Sequence, residues 1–160
     1  MRKDATFSGD RVYRYMLSRV WDDSLPALAI IGLNPSTADE NIDDPTIRRC
    51  ITFAKRDGYG GIIMLNLFAY RATNPKELKQ ADNPIGQHNN AELRRETRGR
   101  SILLAYGANY TGGRADEVQK LLGIDTYRTS TFCLGRTQAG HPLYLKSTTP
   151  MEPWEGHSNA

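Results

Sequence analysis

The chain has 160 residues, of which 39% are hydrophobic and 24% charged, and a formal net charge of +3. That is chain enough for one domain with a sizeable core, and too apolar for a disordered protein. No apolar run approaches the ~18–20 residues that span a bilayer, and so weak a positive charge permits nucleic-acid binding without implying it.

Met1-Arg2-Lys3-Asp4 leads into no apolar signal region, so a cytoplasmic protein is expected, folded as a single domain over 1–160 with a polar tail from 146. Residues 1–10 read as loose polar chain. Val12 to Trp21 is rich in β-branched and aromatic types between turn signals, which predicts a strand, with a short helix as the competing reading. Leu28 to Gly32 is the next strand, and the polar loop Leu33-Asn34-Pro35-Ser36-Thr37-Ala38-Asp39 follows it. Asp44 is a good N-cap and Pro45 suits the first helical position. Ile47, Ile51 and Ala54 lie at helical spacing up to a stop at Gly58.

Gly61 to Tyr70 holds the strongest strand. Ile62 to Leu65 is continuously apolar, as in a central strand covered on both faces, and Asn66 interrupts it. A short helix is predicted near Thr73–Leu78 and a polar helix from about Gln87 to Arg98. Ser101 to Gly107 is a buried strand, Ala115 to Leu122 an amphipathic helix closed by Gly123, and Tyr127 to Leu134 the last strand. The tail from Lys146 is expected to wrap the surface or fray. Strand followed by helix, about four times over, predicts a parallel-rich sheet with helices on both faces. Cys50 and Cys133 make no disulfide framework and have no metal-ligand partners, so both read as buried thiols and no cofactor is expected. The basic residues Arg48, Arg49, Lys55 and Arg56 on one predicted helix read as a solvated face, as do Arg94, Arg95, Arg98 and Arg100 on another.

Four strand ends carry the unusual residues: Gly32-Leu33-Asn34-Pro35-Ser36, Asn66, Gly107 and Gly140-His141-Pro142. In open α/β sheets, ligands bind at the carboxyl ends of strands. Asparagine and histidine at facing ends are a hydrogen-bonding set that can read the edge of a planar base and stabilise charge on it as it leaves.

Gly32-Leu33-Asn34-Pro35 resembles the first motif of the mismatch-specific and single-strand-selective branches of the uracil-DNA glycosylase superfamily. Gly61-Ile62-Ile63-Met64-Leu65-Asn66 resembles the apolar strand whose asparagine recognises the base in the uracil branch. His141-Pro142-Leu143 resembles that fold's C-terminal His-Pro-Ser motif. Nearly the whole chain also resembles the DUF1643 family of bacteria and phages, through Gly32 to Asp39, Asp43-Asp44-Pro45-Thr46 and Asn66 to Ala72. That family implies no activity of its own.

The glycosylase resemblance implies a three-layer α/β/α sandwich with a central, mainly parallel sheet. It implies a protein that binds or excises a pyrimidine base, with DNA, a nucleotide or a nucleobase as partner. On it, Asn34 would position a water. An amide orients water but takes no proton at neutral pH, so Asp39, Asp43 or Asp44 would serve as base. Asn66 would read the base edge and His141 would donate to a base carbonyl as charge develops. Gly32, Pro35, Ser36 and Gly140 would line the base pocket, and Arg71 and Arg136 would meet phosphate. Each has a plainer reading. Asn34 caps a turn, Asn66 satisfies backbone, His141 is a loop histidine, Asp39 and Asp43 cap or face solvent, and Arg71 makes a surface ion pair.

The chain departs from the uracil branch in two places. That branch has an aspartate at the position of Asn34 and, at that of Ser36, a tyrosine that blocks bases substituted at C5. Ser36 leaves room there, which implies tolerance of a C5-modified pyrimidine. His141-Pro142 is followed by Leu143-Tyr144 rather than serine, so Leu143, Tyr144 and Leu145 are each a strand wedge or core. The competing functions are a non-catalytic nucleobase or nucleotide binder and an enzyme of modified-nucleotide metabolism. No Walker loop, His-Glu-x-x-His or Gly-x-Ser-x-Gly occurs.

Overall fold

The computed structural model describes residues 1–107, 111–124, 130–135 and 140–154. In chain order it has β1 (Arg2–Phe7), β2 (Arg14–Val20), β3 (Ala27–Gly32), α1 (Pro45–Arg56), β4 (Gly61–Asn66), α2 (Pro75–Gln80), α3 (Asn89–Thr97), β5 (Ile102–Leu104), α4 (Arg114–Leu122), β6 (Thr131–Leu134), a 3₁₀ turn (Pro142–Tyr144) and β7 (Met151–Pro153). The strands form a seven-stranded sheet in the order β1-β2-β4-β3-β5-β6-β7.

The centre is parallel. β3 pairs with β4 along its whole length, from Ala27↔Gly61 to Gly32↔Asn66, and with β5 on its other side. β5 pairs in parallel with β6. Side chains alternate between faces. Leu28, Ile30, Ile62, Met64 and Leu103 meet Ile47, Cys50, Phe53 and Ala54 of α1. Ala29, Ile31, Ile63, Leu65, Ile102 and Leu104 meet Leu78, Leu93, Val118 and Leu122 of the other three helices. Every residue of β4 is buried, as its unbroken apolar run predicts for a strand covered on both faces.

The outer pairings are antiparallel: β1 with β2, β2 with β4, and β6 with β7. The sheet is therefore mixed, which corrects the expectation of a mainly parallel one. The error lay in the two ends of the chain. Residues 1–10, read as loose, hold β1, and the tail, read as wrapping the surface or fraying, holds β7. The predicted strand at Tyr127 is seen from Thr131 onward, residues 125–129 being outside the described set, and it is followed by β7 rather than being the last.

The helices follow their sequence signals. Asp44 Oδ1 caps α1 by accepting from Ile47 N at 2.9 Å, with Pro45 behind it. Asn74 Oδ1 caps α2 by accepting from Lys76 N at 2.9 Å. Gly123, at φ +65°, closes α4 in the left-handed conformation that glycine adopts without strain. Cys50 and Cys133 are both buried and outside any disulfide, and burial pushes the Cys50 thiol up to about 12. Among the described residues, no helix is long and apolar enough to cross a membrane.

Candidate functional site

The loops after β3 and β4 run side by side beyond the sheet. Leu67 N donates to Gly32 O at 2.9 Å, Phe68 N to Leu33 O at 3.0 Å and Ala72 N to Pro35 O at 3.1 Å. Asn34 joins them through its side chain, whose Nδ2 donates to Ala72 O at 2.8 Å and to Pro35 O at 3.1 Å. Its amide nitrogen is therefore occupied by backbone, while its Oδ1 accepts nothing from the described residues. From below, Asn89 Nδ2 donates to Asn66 O and Leu67 O at 3.0 and 3.1 Å, and buried Arg114 Nε to Leu67 O at 2.9 Å.

Asn66 follows Met64 by two residues and shares its face, the one covered by α1. The residue is 2% exposed, yet its side-chain amide hydrogen-bonds to no described residue. Gly32 makes the room it occupies. A Cβ at that position would stand 2.9 Å from Asn66 Oδ1 and 2.8 Å from Met64 Cε.

His141 reaches the same end of the sheet from the chain after β6. A Cβ built on Gly107, beyond β5, would lie 3.7 Å from His141 Cβ. His141 caps the 3₁₀ turn, its Nδ1 accepting from Leu143 N at 3.1 Å. A neutral imidazole that accepts at Nδ1 carries its proton on Nε2, so Nε2–H is a donor. Burial holds the imidazole below its ordinary value of 6.5, and the Asp44 carboxylate opposes this. The turn is fixed to α1 by Arg49, which donates to Pro142 O at 3.3 Å and also to Leu145 O. Arg49 and Arg56, read as solvated, in fact hold carbonyls of residues 142–149.

The acidic candidates have other partners. Asp39 Oδ1 accepts from Asn41 N and Ile42 N, each at 2.8 Å, and these bonds hold its carboxyl below the usual range. Asp43 pairs with Arg19 Nε at 2.7 Å. Asp44 is buried, accepts from Ile47 N and Ala38 N, and is the carboxylate whose field reaches His141. Pro35 is buried and Ser36 half-buried, with no hydrogen bond to the Ser36 hydroxyl among the described residues. Gly140 is half-buried beside His141. Arg71 Nε donates to Ser36 O at 3.3 Å, and its guanidinium lies 4.9 Å from the centre of the Phe7 ring. Arg136 lies outside the described residues.

Two arginines of β2 went unread in the sequence. Arg14 Nη1 donates to Ala38 O at 3.1 Å, and Arg19 Nη2 to Asp39 O at 2.5 Å. Together with Arg71 they hold the loop between β3 and α1. A β-bulge brings both onto one face. Thr6 pairs with Met16 and Phe7 with Arg14, so Tyr15 is the extra residue, and Arg14 joins Leu17 and Arg19 on the α1 side. A charge within an otherwise apolar strand was the available signal.

In comparisons with known proteins, the model of the family described as "Protein of unknown function (DUF1643)" matches residues 14–144. No curated protein and no solved structure matches the chain. The family match supports the DUF1643 resemblance, while the glycosylase resemblance rests on its short motifs alone.

Proposed function

The chain belongs to the DUF1643 family, and from that premise we propose that its strand ends form a pocket that binds a pyrimidine base. The observation that carries this reading is a pair of hydrogen-bonding groups with no described protein partner at one end of the sheet, one at the end of β4 and one beside the end of β5, with β3 between them. One is the 2%-exposed Asn66 amide. The other is His141, whose occupied Nδ1 leaves Nε2–H free to donate. An amide offers one acceptor and two donors in one plane, which matches the N–H and carbonyl edge of a pyrimidine. The imidazole adds a donor for a second carbonyl. Each hydrogen bond that a ligand makes to these groups contributes about 0.5–1.5 kcal/mol.

The glycosylase reading, with a glycosylase-like three-layer fold, is the second form of this proposal. Helices on both faces of the sheet, and an Asn34 Oδ1 that accepts from no described residue, support it. So do Leu143 and Tyr144, 37% and 80% exposed beside His141, where a strand wedge would stand. In that reaction Asn34 orients the water and His141 donates to the departing base. Against it, Asp39 and Asp43 are committed to a turn and an ion pair. Asp44 is committed as well, capping α1 at Ile47 N and accepting from Ala38 N, so none of the three acidic candidates stands ready as a base. Binding without excision is accordingly the better-supported form. Ser36, in place of a bulkier residue, is expected to admit C5 substituents.

The test is a titration of purified protein with uracil, thymine and 5-hydroxymethyluracil as nucleosides, followed by thermal shift. Saturable stabilisation that is lost in Asn66→Ala and His141→Ala supports the binding reading. No stabilisation by any of them contradicts it. Base release from oligonucleotides carrying the same bases, lost in Asn34→Ala, would establish excision.

A further inference from the structure

Arg14 is the buried charge that base recognition leaves unused. It opens β2, is 2% exposed, and lies on the sheet face that carries Asn66. Its guanidinium makes one hydrogen bond among the described residues, to Ala38 O, and its Nε–H is buried without a partner. No described carboxylate lies within 4.0 Å of it. Arg71 repeats the pattern. It donates to Ser36 O and Arg11 O, each at 3.3 Å, and it too has no described carboxylate within 4.0 Å.

The other charges around Arg14 do not cancel this surplus of donors. Arg19 is satisfied by Asp43 and by loop carbonyls. Asp44 acts on Arg14 at longer range, and its two oxygens already accept from Ala38 N and Ile47 N. The remaining neighbour that Arg14 feels is Cys50, a buried thiol held in its neutral form. The position is also built into the strand. Without the extra residue Tyr15, strict alternation would turn Arg14 to the opposite face from Leu17 and Arg19.

We infer that the pocket takes its base as a nucleoside monophosphate, with the terminal phosphate received by Arg14 and with Arg71 beside it. The nucleoside half of this inference rests on the base-binding reading; the phosphate half rests on the two arginines. A guanidinium fork matches phosphate oxygens in two-point hydrogen bonds. Burial selects the kind of phosphate. Arg14 is 2% exposed beneath the loop that carries Ala38, so a phosphate meets it only where that loop yields, and a compact terminal group asks less of the loop than a backbone running over the surface. The span agrees. Arg14 on β2 and His141 over β5 are three strand spacings apart in the order β2-β4-β3-β5, roughly 14 Å at 4.7–4.9 Å each, more than a base ring fills.

Calorimetric titration tests this with deoxyuridine, deoxyuridine 5′-monophosphate, inorganic phosphate and a short oligonucleotide whose phosphates are all internal diesters. The monophosphate is expected to bind at least tenfold tighter than the nucleoside. Arg14→Gln should abolish that difference, and Arg14→Lys should restore part of it. Equal affinity of wild-type protein for monophosphate and nucleoside overturns the inference, and needs no variant to fold. An oligonucleotide with the same Arg14-dependent gain overturns the terminal phosphate in favour of backbone. If nucleosides fail to bind but inorganic phosphate binds wild type and not Arg14→Gln, the base reading falls and the phosphate receptor stands.

Discussion

Gly32 shows how one missing side chain shapes the site. It ends β3 opposite Asn66, and a Cβ there would meet the ends of two side chains, Met64 Cε at 2.8 Å and Asn66 Oδ1 at 2.9 Å. Gly32→Ala should therefore fold, at a cost of about 1–3 kcal/mol, but push the Asn66 amide aside. Thermal denaturation should show a modest fall, and titration at least a tenfold loss of base affinity. Unchanged affinity would remove Asn66 from the pocket. His141 gives a second check. Its pKa in the folded protein lies below the ordinary 6.5 because burial disfavours the imidazolium. The folded state thus takes up this proton at lower pH than the unfolded chain, so its stabilising contribution is full above about 6.5 and falls as pH drops through the folded value. Protonation also removes the Nδ1 acceptor that Leu143 N uses. NMR titration should find a neutral Nε2–H tautomer at pH 7 and a pKa below 6.5. Asn34, Asn66 and His141 were legible in the sequence because polar residues at the ends of apolar strands stand out. Arg14 and Arg19 were not, because an arginine on a strand ordinarily reads as solvent-facing, whereas the loop from Pro35 to Asp43 covers them.

The loop between β3 and α1 is held by side chains rather than by regular structure. Arg19 is fully buried and donates to Ser18 O, Asp39 O and Asp43. Removing the charge of Asp43 leaves that guanidinium with carbonyls alone. Asp43→Asn should cost about 1.5–3 kcal/mol, the range for a hydrogen bond to a charged group, measured by urea denaturation. A change under about 0.5 kcal/mol, ordinary for a surface substitution, would show that the ion pair is not needed. The helix that follows was plain in the sequence, since Asp44-Pro45 is a start signal and the apolar spacing runs on to Phe53 and Ala54. The edge strands were hidden by their chemistry. β1 begins Arg2-Lys3-Asp4, all exposed, and charge is what protects a sheet edge from pairing with another chain. The same charges make it read as loose tail.

At the scale of the molecule, parallel strands in the middle of the sheet set the site. β4, β3, β5 and β6 end on the same side, and β2 starts there because it runs against β4. Five chain segments thus reach one edge, and the order of motifs in the sequence already pointed to that convergence. The antiparallel flanks were not legible, because pairing partners far apart in the chain leave no local signal. Amide exchange should rank the strands by this layout, with β3 and β4 slowest and β1 and β7 fastest; equal protection throughout would contradict it. On this layout Asn66 and His141 meet one base. The most direct measurement follows the Asn66 side-chain amide and the His141 ring nitrogens by ¹⁵N NMR while deoxyuridine 5′-monophosphate is added. The account predicts that both move together and saturate with a single dissociation constant. If neither moves at saturating ligand, or each follows its own curve, the strand ends do not form one base-binding pocket.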